Sequence, residues 1–399
     1  MSADATMPRR WTVRAVVPIA VAAAAIYALV THATLIGIAQ DLHYNDFGKF
    51  YYSLQNWTAG ASLYGRNPAT FIPFTESTGR QFWNMNPPHF HFFIWPLVFL
   101  EIGWAFYVWT VVNVTAFVLA VVAAARAANL QLSPRGWSLV SLALLWGAPT
   151  IAWSVTGQMT GLIVALITWI WLDVRSGRWT RAGVAIGLAV SIKLFFGPLG
   201  IFLILKQQWR AMFAGVATAL LLLLAGVAVF GLQSYLEWIR ALGDVTWVWA
   251  VMNGSIFAPV ARLWLGDESA FGFTPDLRGA MVIGWLFALP ILVLGMLTAW
   301  RSANPDRSIL AVILTSLLAS PLGWVYYYWI ALGPFAAMRT NARVRRSAVL
   351  ASAWLLFPYY WLWPNDSMLF TLTLGSAYTW SLLAGWIGTV STREPRGGL

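Results

Sequence analysis

The chain has 399 residues, of which 59% are hydrophobic and 10% charged. A soluble domain carries about a quarter charged residues, so this composition cannot cover a water-facing surface, and apolar runs near the ~20 residues that span a hydrocarbon core recur along it. The formal charge of +11 lies in short breaks between those runs and not on one soluble patch, which argues against nucleic acid as a partner. The absence of cysteine excludes disulfides, thiolate metal sites and cysteine nucleophiles.

In chain order, the first apolar run covers residues 15–39 after Arg9, Arg10 and Arg14. It lacks a polar end region or cleavage site and is expected as a retained signal-anchor helix. A long outer loop, 40–88, contains Asp46, Tyr51, Leu54, Gln55 and Ala59 at helical spacing, which predicts an amphipathic helix along the interface with Asp46 at its start. Residues 89–125 are too many for one straight crossing, so the part to Leu100 is expected as a tilted or partial segment. Residues 137–153 then go out and 159–172 return. The run 180–205 has Lys193 at its middle, Gly197-Pro198 just after, and basic residues at both ends. It predicts two half-spanning helices meeting at Lys193, because an interrupted helix survives in a bilayer only where it lines a polar cavity. Residues 212–230 exit to a second outer loop, 231–278. Residues 281–300 return, and 309–320, 324–337, 347–363 and 368–390 follow. The expectation is an all-α polytopic protein of about twelve membrane segments in a single domain, 1–399, with no fixed-period repeat.

Charge sorts the breaks into two sets. One holds arginines and lysines, including Arg126, Arg135, Arg175, Arg178, Arg181, Lys206, Arg339, Arg343 and Arg345; the other holds acids, including Asp41, Asp46, Glu76, Glu237, Asp244 and Asp267. Basic loops stay inside, so both termini are expected in the cytoplasm of a multi-pass cell (inner) membrane protein, with the acidic loops outside. The 26 tryptophans serve as interfacial anchors, or some stack on sugar or lipid in an outer cavity.

Polar residues in such a chain are candidates for chemistry. Asp46 either caps its helix or acts as a base. Lys49 stands one turn further on as a substrate-binding candidate. His89 and His91 are two apart, which places them on different faces of a helix and disfavours a metal pair; they bond at the interface or bind substrate. Lys193 costs roughly 2.5 kcal/mol or more in the membrane unless it meets water or an anion, so anion binding is expected there. Gly157-Gln158, Asn253-Gly254-Ser255 with Arg262, and Ser320-Pro321 through Trp324, Tyr326 and Tyr327 complete a polar set that faces outward in this topology. No nucleotide cradle, metal-ligand spacing or serine triad occurs on the outer loops.

The order of these motifs resembles the polyprenyl-phosphate-mannose-dependent mannosyltransferases of the GT-C superfamily, the group that includes the actinobacterial phosphatidylinositol-mannoside mannosyltransferases. The likeness covers most of the chain. It rests on Asp46 to Tyr52 with Gly60-Ala61-Ser62-Leu63-Tyr64, Pro87-Pro88 with Trp95-Pro96-Leu97, Gly157-Gln158, Lys193, Asn253, Ser255, Arg262 and Ser320-Pro321 with Trp324. Two departures stand out: the family usually has glutamine where Gly254 stands, and histidine where Tyr326 and Tyr327 stand. The resemblance implies a GT-C-like bundle with interfacial helices in the first outer loop. It implies a polyprenyl-phosphate sugar donor, a glycolipid or glycan acceptor, membrane-lipid surroundings and no cofactor or metal. Asp46 would be the catalytic base; Lys193 and Arg262 would stabilise the leaving phosphate; Lys49, Gln158 and Asn253 would join the substrate-binding set, with the hydroxyls of Tyr326 and Tyr327, or His89 and His91, standing in for the family's histidines. A lipid or sugar-lipid transporter, or a non-catalytic envelope-assembly subunit, would share the membrane features without needing the acid.

Overall fold

The computed structural model describes residues 46–68, 83–243, 247–265, 277–355 and 367–392. The expected first helix at 15–39 lies outside the described residues. Among the described residues the elements are helices, and the only β-type pairing is an isolated bridge between Asn253 and Trp324.

Helix α1 (Asp46–Thr58) forms where the apolar stripe predicts it. Phe47, Phe50, Tyr51 and Leu54 fall on one face, are buried, and pack against α2 (Ile102–Ala127), with Phe47 5.5 Å from Phe106 and 6.0 Å from Trp109 between ring centroids. Between them, the expected partial segment takes the form of two 3₁₀ turns, Pro88–Phe93 and Trp95–Leu97. The prolines at 87, 88 and 96 remove ladder donors and keep the chain out of a regular α-helix.

The expected crossing at 137–153 is a broken pair, α3 (Pro134–Trp146) and α4 (Ala148–Thr156), bent by 43°. Gly147 is extended there, and Pro149 in the first turn of α4 cannot donate to a ladder continuing from α3. Helix α5 (Thr160–Arg175) follows. The chain then makes α6 (Trp179–Ile192), an extended Lys193 (φ −137°, ψ 102°), the turn Leu194–Phe196 and α7 (Gly197–Leu205), which is the break expected at the lysine. Helix α8 (Trp209–Gly243) passes through a kink at Gly231, whose φ of 78° suits glycine. The part beyond the kink, to Gly243, occupies residues expected as the start of the second outer loop.

Next come the 3₁₀ turn Trp247–Trp249, α9 (Phe257–Leu265), α10 (Arg278–Arg301) and α11 (Pro305–Leu318). The Asn304 side chain caps α11 by accepting from the N–H groups of Asp306 and Arg307 at 2.8 and 3.2 Å. The expected segment 324–337 is a 3₁₀ turn, Val325–Ala331, and a short α12 (Leu332–Ala337). After α13 (Ala342–Leu355), the expected run 368–390 divides into α14 (Met368–Leu372), the turn Leu374–Ser376 and α15 (Ala377–Val390), because Thr373 leaves helical geometry (φ −100°, ψ −93°).

Helices α2, α8 and α10 are long and apolar enough to cross a membrane, and the bent α3–α4 pair makes a fourth span if counted as one. The protein is therefore a helical membrane protein. Several residues of the basic breaks also cap helix C-termini. Arg339 donates to the carbonyls of Ala128 and Asn129 at 2.7 and 3.1 Å, Lys206 to Ser302 and Trp300 at 2.6 and 3.0 Å, and Arg307 to Thr389 and Val390 at 3.1 and 3.2 Å. Cations there satisfy orphan carbonyls and oppose the negative end of the helix dipole.

Candidate active site

Asp46 opens α1 and is nearly buried. One carboxylate oxygen pairs with Lys49, a turn along the same helix; the other accepts a 2.5 Å hydrogen bond from the Gln158 amide. Gln158 reaches it because Gly157 turns the chain with φ 70°. A Cβ at Gly157 would lie 2.6 Å from Phe47 and 2.7 Å from Phe106, so only glycine lets this turn sit against α1. Burial lowers the Lys49 ammonium from its ordinary value, and the Asp46 charge opposes the fall.

Lys193 sits at the break between α6 and α7, and its Nζ donates to Asn86 Oδ1 at 2.7 Å. The charges of Asp46 and Lys49 both reach it. Asn86 belongs to a polar segment that is held from several sides. Its N–H and Nδ2 both donate to Asn84 Oδ1, at 3.1 and 3.2 Å. Asn84 Nδ2 donates to Ser53 Oγ on α1 at 3.1 Å and to His91 Nε2 at 2.9 Å. The carbonyls of Asn86 and Met85 accept from the Tyr64 hydroxyl at 2.5 Å and the Trp238 indole at 3.0 Å.

The two histidines brace this segment. His91 contacts the Pro88 carbonyl through Nδ1 at 3.0 Å, so that nitrogen carries the proton and Nε2 accepts from Asn84. His89 Nε2 donates to the Ser191 carbonyl at 2.9 Å, and Nδ1 meets the Tyr235 hydroxyl at 2.8 Å. The Ser191 carbonyl lies near the C-terminal end of α6, where the break leaves acceptors without a ladder partner. Both nitrogens of each ring are thus engaged within the protein.

A cavity of about 520 Å³ opens beside Lys193, lined among others by Met85, Pro87, Trp238, Trp324 and Tyr327. The Tyr327 hydroxyl is buried and has no hydrogen-bond partner among the described residues. Its ring packs on Phe195 at 5.1 Å and Tyr326 at 4.7 Å. Asp46 is not among the described residues that line this cavity, but its charge reaches Tyr326 and Tyr327.

Asn253, Ser255 and Arg262 lie behind the adjoining wall and brace it. Arg262 donates to the carbonyls of Trp249, Ala250, Asn253 and Gly375 at 2.7–2.8 Å and to Ser376 Oγ at 3.0 Å. Asn253 donates to the Val248 and Pro321 carbonyls at 2.7 and 2.8 Å and accepts from the N–H groups of Ser255 and Gly323 at 3.0 and 2.9 Å. These bonds fix Val248 and Pro321, which line the cavity. The departure at Gly254 has a local cause: a Cβ there would lie 1.8 Å from the Tyr328 hydroxyl, which donates to the Tyr378 carbonyl at 2.6 Å. The structure therefore brings Asp46, Lys49, Gln158, Lys193, Tyr326 and Tyr327 together and sets Asn253 and Arg262 behind the wall. Asn84, Asn86, Ser53 and Tyr235 enter the arrangement without having been singled out. An Asn-x-Asn-Pro-Pro stretch at the edge of an apolar run is the signal that could have found the first two.

Residues 84–321 match the family model described as Glycosyltransferase family 87. A polyprenol-phosphate-mannose-dependent alpha-(1-2)-phosphatidylinositol pentamannoside mannosyltransferase of Mycolicibacterium smegmatis is 26% identical over 324 residues, 75% of each chain. A polyprenol-phosphate-mannose-dependent alpha-(1-2)-phosphatidylinositol mannoside mannosyltransferase of Mycobacterium tuberculosis is 24% identical over 252 residues, 62% of this chain and 56% of that one. No solved structure gives a significant match.

Proposed function

The chain belongs to Glycosyltransferase family 87, and on that premise we propose that it moves mannose from a polyprenyl-phosphate donor to a hydroxyl of a mannoside lipid, on the extracytoplasmic face and with inversion. The observation that carries this reading is a buried carboxylate–lysine pair beside a second lysine at the wall of a cavity between membrane helices. Asp46, Lys49 and Lys193 together leave one formal positive charge. That matches the single negative charge of a sugar phosphodiester better than the two of a nucleotide diphosphate sugar.

In the reaction, the Asp46 carboxylate accepts the proton of the acceptor hydroxyl as its oxygen bonds to the anomeric carbon. The bond from that carbon to the phosphate oxygen breaks, and its electron pair stays on the departing polyprenyl phosphate. Lys193 stabilises the charge that grows there. Gln158 and Lys49 hold the carboxylate in place, and the carboxylate's remaining lone pairs stay open to the hydroxyl. Trp238 and Trp324 offer apolar faces to a sugar or an isoprenoid. The acidic and basic breaks support an extracytoplasmic site, and nucleotide sugars are absent from that side.

The test is transfer in proteoliposomes, with the same labelled mannose offered on polyprenyl phosphate or on a nucleotide. Glycolipid product should form only from the lipid-borne donor, and only when that donor is in the leaflet on the Glu237 side. Product from the nucleotide donor would overturn the reading. Movement of the lipid donor between leaflets without any glycoside product would replace it with transport.

A further inference from the structure

We propose that Asn86 is a positioning residue that holds the Lys193 ammonium at the cavity wall through a neutral contact, without giving it an ion-pair partner. The proposal rests on the functional reading above and specifies how the phosphate site is kept cationic. The two lysines of the site are treated differently. Lys49 is paired with the carboxylate of Asp46, whereas Lys193 meets a neutral amide, its only hydrogen-bond partner among the described residues. An amide oxygen satisfies one of the three ammonium donors and fixes the side chain, but it cancels no charge. A carboxylate at the same point would neutralise the lysine and repel an anionic donor.

The orientation of that amide is set by a directional series of hydrogen bonds. His91 Nδ1 donates to the Pro88 carbonyl, so His91 Nε2 must accept from Asn84 Nδ2. Asn84 Oδ1 is then the acceptor for Asn86 Nδ2, and Asn86 presents its oxygen to Lys193. A flipped Asn86 amide would set an N–H against the ammonium. The backbone on either side is pinned by Tyr64 and Trp238, and Asn84 ties the series to α1, the helix that carries Asp46, through Ser53. The segment thus registers the cation against the carboxylate, and Asn86, 3% exposed, is its contact with the cation.

Asn86→Asp, Asn86→Leu and Lys193→Ala are to be compared in the full-length protein for thermal midpoint, polyprenyl-phosphate-mannose binding and transfer. Asn86→Asp keeps the shape and an acceptor for Lys193 but loses the Nδ2 donor to Asn84, so the thermal midpoint, read beside donor binding, separates loss of structure from neutralisation of the lysine. We expect Asn86→Asp to lose donor binding at least about tenfold, since a charged hydrogen bond to the phosphate is replaced by an internal ion pair. Asn86→Leu should raise the donor KM about tenfold while kcat at saturating donor stays within about threefold. Wild-type donor affinity in either Asn86 variant, with Lys193→Ala impaired, would overturn the proposal and leave the functional reading standing. Wild-type affinity in Lys193→Ala would overturn both.

Discussion

Tyr327 lines the cavity that Lys193 also lines, its hydroxyl is buried, and no described residue accepts its proton. A buried polar group left unpaired costs about 1–3 kcal/mol, whereas a hydrogen bond to a charged partner contributes about 1.5–3 kcal/mol. If a bound phosphate or sugar oxygen is the partner, Tyr327→Phe should leave the empty protein at least as heat-stable and weaken donor binding about tenfold. A variant with unchanged donor affinity would assign Tyr327 to packing alone. Residue by residue, legibility follows the partner. Asp46 and Lys193 stand out in the sequence because charge in an apolar context is costly, and Gln158 because it follows a glycine at a helix start. The sequence does not show that the Arg262 guanidinium is occupied by backbone carbonyls, or that His89 and His91 spend their nitrogens inside the protein. Those acceptors are main-chain groups, which any residue could supply.

Among the elements, α6 and α8 meet through small residues. A Cβ on Gly187 would lie 2.2 Å from the Gly215 carbonyl oxygen, and one on Gly183 would lie 2.1 Å from that of Ala211. The Gly-x-x-x-Gly spacing on one helix and Ala-x-x-x-Gly on the other allow close backbone approach in a membrane, where dispersion between packed helices replaces the hydrophobic effect. Because α6 ends at Lys193, this contact also places the cation. Gly187→Val should destabilise by about 1–3 kcal/mol through overpacking and lower the thermal midpoint. Gly200→Ala, which meets nothing within 4 Å, should not. Equal midpoints would contradict the packing. The break at Lys193 was legible from a lysine and a Gly-Pro pair inside an apolar run, and α1 from its stripe. The extension of α8 beyond residue 230 was not, since Gly231 carries a kink and not the loop that a glycine after an apolar run signals. The 3₁₀ path of Val325–Ala331 was not legible either, because Tyr326, Tyr327 and Tyr328 are all buried and hydropathy alone reads them as a span.

Over the whole molecule, the same cations have two physical consequences. The arginines and lysines of one set of breaks carry the charge asymmetry from which the orientation is proposed, and several of them close helix C-termini through carbonyl contacts. Lys193, in contrast, stands at the break between α6 and α7, within reach of the charge on the α1 carboxylate. Membrane class and the charge asymmetry of the breaks were legible from composition, since the bilayer imposes both. How Asp46 and Lys193 come together was not, because it depends on the Asn84–Asn86 segment and the Gly157 turn. The proposed reaction depends on Asp46 as the base. Asp46→Asn keeps the shape of the side chain and its capacity to begin α1, and removes the basic oxygen. Transfer from polyprenyl-phosphate mannose by this variant in proteoliposomes, with donor binding measured in the same vesicles, tests the centre of the account. Turnover should fall by roughly 10²- to 10⁴-fold while the donor still binds; transfer near the wild-type rate would contradict it.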